Sequence, residues 1–178
     1  MLCIHYQANL GNAAASAGWL ARATRIVEEF ELHEMRGWPL LLRAADAGTP
    51  VEGESLAREA RELARGSGDL DMDLCALAEV GAALVKQGKV GEGLEALDEA
   101  MAGSLGGEGG SLDTVVYTSC NMISSCASCA EFERAVRGFA PPTGSPRATA
   151  ARFYTPTAAR SMATCWWRRG GGAWRRPS

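Results

Sequence analysis

Histidine and lysine are almost missing from this chain: His5 and His33, Lys86 and Lys89, against sixteen arginines in 178 residues. The histidines are isolated from each other and from any Ser or Cys motif, so no nucleophile–base–orienter set can be assembled. The expectation is a protein that is not an enzyme. Apolar runs are short as well, and none approaches the roughly 20 residues of a membrane span. The opening "MLCIHYQANLGNAAAS" lacks a basic segment followed by a long apolar one, as a secretory signal would require. A cytoplasmic protein with no membrane partner is expected. The phosphate-cradling pattern G-x-x-x-x-G-K-[ST] is absent too, and "GSLGGEGGS" at 103–111, without a lysine, reads as a long, mobile linker.

The six cysteines do not compose a metal site. Cys126 and Cys129 form C-x-x-C with Cys120 six residues earlier, but zinc wants four ligands and no second Cys/His pair stands at metal spacing. Residues three apart share a helix face, where cysteine packs as a small apolar side chain. Asp69, Asp71 and Asp73 in "GDLDMDL" resemble the opening of a calcium loop. The glycine required at its sixth position and the glutamate at its twelfth are Leu74 and Val80 here. A helix N-terminus with favourable charge is the better reading. No cofactor and no metal are expected.

Acidic residues stop at Glu133. Residues 1–133 carry a charge balance of −12 and residues 134–178 one of +9, giving the net −3. Such a split describes either an acidic body with a basic arm or two parts never selected together.

What is present is a repeat. In "LCALAEVGAALVKQGKVGEGLEALDEAMA", Leu77, Val80, Gly81 and Leu84 fall on one side of a helix. Gly88 breaks the chain, and Gly93, Leu97 and Ala100 line a second helix. Small residues let the two helices approach closely, and Gly88 supplies the left-handed stop. Weaker copies precede this unit: Gly11 with Ser16, Leu20 and Ala23, then Gly48 with Gly53, Ala57 and Ala60. Pro39, in the first helix of the second copy, must sit near that helix's start or kink it. A fourth unit opens with Val115, Val116, Cys120 and Ile123. The pattern resembles the tetratricopeptide code, with Leu77 where that code has a large aromatic. The expected fold is all-α: antiparallel helical hairpins near 1–30, 33–66, 69–103 and 112–137, stacked as a short tetratricopeptide-like solenoid. An irregular basic tail follows over 138–178. Trp19 and Trp38 are expected in core or inter-repeat packing.

The tail admits two readings. As a genuine arm, its arginines and tryptophans would neutralise phosphates and stack on bases. As a frameshift product, it would be the repeat read out of register. Abundant Ala and Gly with few lysines fit a GC-rich coding sequence. Read one base earlier, Met162-Ala163 forces a glycine codon and Trp166-Trp167 a valine codon, while Trp174-Arg175 permits only Glu or Ala. The shifted frame can encode "LYGNVLVATGGGRVEEA", which echoes "EVGAALVKQGKVGEGL" in the third unit. The frameshift is the reading preferred here.

These segments, "GNAAASAGWLARATRIVEE", "LAEVGAALVKQGKVGEGLEALDEAMA" and "TVVYTSCNMISSCASCAEFERAV", resemble the central helical-repeat region of large LuxR-type transcriptional regulators from high-GC bacteria. The resemblance covers about residues 8–137. It implies a fragment that relays partner or ligand binding, derived from a regulator whose helix-turn-helix and ATP-binding domains are not in this sequence. No residue for DNA or ATP contact can be carried over.

Two functions follow. The first is a non-enzymatic protein–protein interaction module, whose acidic side chains Glu79, Glu92, Glu95, Asp98 and Glu99 on a concave face favour a basic protein or peptide partner. Direct DNA binding is not expected without a helix-turn-helix, and the uncapped repeat ends invite oligomerisation. The alternative is a nucleic-acid-binding protein acting through its Arg/Trp-rich C-terminal tail.

Overall fold

A computed structural model describes residues 12–131, 133 and 134, and among these all regular structure is helical. Six α-helices follow one another: α1 (Ala13–Glu29), α2 (Gly37–Ala45), α3 (Pro50–Ser67), α4 (Leu70–Lys86), α5 (Val90–Gly106) and α6 (Leu112–Ser128). A single 3-10 turn, His33–Met35, lies between α1 and α2. The first part of the expected first hairpin and the basic tail at 138–178 lie outside the described residues.

Local chemistry sets the helix ends. Thr49 caps α3 by accepting from the Glu52 amide at 3.2 Å, and Pro50 fills the first helical position, where an N–H has no partner to lose. Asp69 caps α4 through the Met72 amide at 2.9 Å. Ser111 caps α6 through Asp113. Gly68 and Gly107 close α3 and α5 in the left-handed region, at φ 74° and 86°, and Gly88 turns between α4 and α5 at φ 85°. Pro39 sits in the first turn of α2, where it breaks no helical hydrogen bond.

From α2 to α6 each helix packs on the next, and α4 also packs on α2 and α6. The consequence is that α4 is sheathed: residues 74–85 are buried without a break. One core joins α4, α5 and α6 through Leu77, Leu97, Met101, Val115 and Met122. Two smaller clusters tie α2 and α3 to α4, through Leu41, Ala60 and Cys75 and through Ala44, Ala57 and Val80. Helix α1 stands apart, with its main contact to α2 and no buried residue.

Close approach of α4 and α5 depends on two glycines. A Cβ on Gly81 would stand 2.7 Å from the Gly93 carbonyl oxygen, and one on Gly93 would stand 2.6 Å from that of Gly81. Leu97 and Ala100 are fully buried beside them.

Three expectations need correction. The segment 103–111 is not a free linker. Helix α5 continues through Gly106, and Asp71 of α4 then gathers the loop: its carboxylate accepts from Gly110 N at 2.9 Å, Ser111 N at 3.0 Å and Thr114 Oγ1 at 2.6 Å. In α6 the buried side includes Thr118, Met122 and Cys126, whereas Cys120 and Ile123 are only partly covered. Hydroxyls are admitted to this core because Thr118 donates within its own helix and pairs with Ser104 at 2.9 Å. Of the two tryptophans, Trp38 packs against the Leu41 cluster and donates Nε1–H to Asp69 at 3.1 Å, but Trp19 is 36% exposed.

Candidate interaction surface

Helix α5 turns Gly93, Leu94, Leu97, Ala100 and Met101 into the core. At 3.6 residues per turn this sends Glu92, Glu95 and Glu99 to the opposite side, with Asp98 on its flank. Glu92, Glu95 and Glu99 are exposed and Asp98 is half-buried. Two of the four are already engaged. Arg134 forks onto Asp98 Oδ2 with contacts of 2.6 and 3.0 Å. Arg61 of α3 reaches Glu99 at 3.3 Å while holding Asp73 of α4 at 2.9 Å. Among the described residues, Glu92 and Glu95 stand outside these ion pairs, and both are exposed to solvent.

Glu79 does not belong to this surface. It is 3% exposed, in the middle of α4, and its Oε2 accepts from Tyr117 Oη at 2.7 Å and from Asn121 Nδ2 at 3.4 Å. Helix α6 lies over it. Glu79 was expected on the open acidic face, but its side of α4 is covered. A carboxylate so deep needs donors, and α6 supplies them from 38 and 42 residues away.

The three aspartates at the start of α4 diverge. Asp69 caps its own helix and binds Trp38, Asp71 holds the loop before α6, and Asp73 pairs with Arg61 and with Arg65 at 3.3 Å. Among the described residues no three His, Cys, Asp or Glu side chains are grouped to hold a metal ion. The role of Asp71 was not visible in sequence, since its partners lie about forty residues on; the only hint was an aspartate at alternate positions of one short stretch.

Burial governs the ionisable groups inside. It pushes the Cys75 thiol up to about 12, with Asp71 adding to the effect. It raises the Tyr117 phenol well above its ordinary value, reinforced by the adjacent Glu79 charge. The thiols of Cys120 and Cys126 are raised by burial as well. Cys126 is fully buried and its thiol faces Met122 Sδ at 3.5 Å, so this half of the C-x-x-C serves as core. Half-buried Glu54 of α3 is held below the ordinary carboxylate value, first by the Gln87 amide at 2.7 Å and then by Arg58.

No family model, no curated protein and no solved structure matches this chain. No described helix is long and apolar enough to cross a membrane.

Proposed function

We propose that the chain is a non-enzymatic helical-repeat module for protein–protein interaction, acting in the cytoplasm and derived from the repeat region of a LuxR-type regulator. The observation that carries this reading is the order of contacts. Each helix from α2 onward rests on the next, and alternate helices α2, α4 and α6 meet. That is the scheme stacked helical hairpins produce. The small-residue contact of Gly81 with Gly93 supports it.

The partner surface differs from a concave groove. With α4 sheathed, charge is offered by the outward row of α5, and Glu92 and Glu95 favour a basic peptide or protein segment. Fluorescence anisotropy with a labelled arginine- and lysine-rich peptide tests this. Binding is expected for the full chain and is lost in Glu92→Lys/Glu95→Lys. Equal binding by that variant would overturn the reading. Salt-steep binding of duplex DNA, abolished by deleting residues 138–178, would favour the basic tail instead.

A further inference from the structure

We propose that α1 pairs antiparallel with α1 of a second copy of this chain. The helix is 17 residues long, has no buried residue, and leaves Trp19 36% and Ile26 37% exposed, and its C-cap Phe30 is 65% exposed. These three lie on one arc with the small residues Ser16 and Ala23. Written as a heptad, Ser16, Ala23 and Phe30 take the a positions and Trp19 and Ile26 the d positions, the seam two helices share when they associate. The flank of that seam carries Arg22 and Glu29, seven residues apart at g.

This spacing chooses the occupant. When two copies run antiparallel, a layers meet d layers: Trp19 meets Phe30 of the second copy and Ala23 meets Ile26, each large group against a gap or a ring. In that one register the g positions face each other, so Arg22 meets Glu29 of the second copy and Glu29 meets Arg22. The contact is self-complementary, as a two-fold interface must be. Parallel pairing sets Arg22 against the apolar e position, Val27, and gains no such pair. Arg22 already stacks its guanidinium over Trp19, 5.5 Å from the ring centroid, and this holds it on the flank where the pair forms.

Light scattering of the full chain over a concentration series tests the proposal, with far-UV circular dichroism as the control for folding. A monomer–dimer equilibrium is expected, and a monomer throughout overturns it. Ile26→Glu places a charge in the seam at a position 37% exposed and is expected to give monomer; a persisting dimer overturns the assignment to α1. Arg22→Glu sets like charges together twice per dimer and weakens association about tenfold. Arg22→Glu/Glu29→Arg restores the pairs and the affinity. Failure of that double variant to recover overturns the antiparallel register.

Discussion

Gly81 and Gly93 meet backbone to backbone, so that neither can carry a side chain without displacing the other's helix. The contact uses two residues of poor helix propensity to bring α4 and α5 close together.

Gly81→Ala and Gly93→Ala are therefore expected to destabilise the fold by about 1–3 kcal/mol each, the range for overpacking a tight core. Gly66→Ala and Gly91→Ala meet open space. They are expected to be neutral or to stabilise by up to about 1 kcal/mol, through helix propensity. Urea unfolding of the four variants separates the two classes; gains at Gly81 and Gly93 equal to those at Gly66 and Gly91 would show that propensity, not clearance, decides the outcome.

Asp71 holds two backbone amides and one hydroxyl at the entry to α6. Asp71→Ala is expected to cost about 2–3 kcal/mol, in line with hydrogen bonds to a charged acceptor. Amide exchange should accelerate first at Gly110 and Ser111. An unchanged exchange rate there would assign the ordering of this loop to other contacts.

Alkaline stability follows from two buried acids. Cys75 keeps its proton in the folded chain up to about 12 but loses it near 9.0 when unfolded. Tyr117 is raised from 10.0 in the same direction. Folded values above unfolded ones mean that the stabilisation is complete below pH 9 and is lost as pH rises beyond it. Urea midpoints measured from pH 8 to pH 11 should fall, and Cys75→Ala should fall less steeply. Native-state thiol labelling at pH 8 should leave Cys75 unmodified until the chain unfolds.

The acid side has the opposite sign. Glu54 has a folded value below its ordinary 4.5, so its contribution is present above that pH and disappears as pH falls. Glu54→Gln is expected to flatten the acid limb slightly, the effect being small for a group near water. A steeper limb in the variant would contradict the direction of the shift.

The α4–α5 pair was legible in sequence because its information is local. Gly81 meets Gly93 and Leu97 across one turn at Gly88, and Leu77 joins the same core, so spacing identifies the contact; Val80 and Leu84 pack instead with Ala44 and Ala57 of α2 and α3. The cover over Glu79 was not legible. Its donors Tyr117 and Asn121 come from another helix, and a glutamate at that helical position reads equally well as solvated. The same holds for Asp71 and for the hydroxyls of Thr118 and Ser104, which look like surface residues until their partners are known. Trp19 misled in the reverse sense: a large aromatic at helical spacing reads as core, yet α1 has no helix among those described to pack it fully.

The sheath around α4 bears on how the chain can be shortened. Removing α6 would strip Glu79 of both donors and take Val115, Met122 and Cys126 out of the core in the same step. A row of separable repeats could shed its last member and keep the rest. Here the last described helix closes the interior of the middle one, so α4 and α6 must form and melt together.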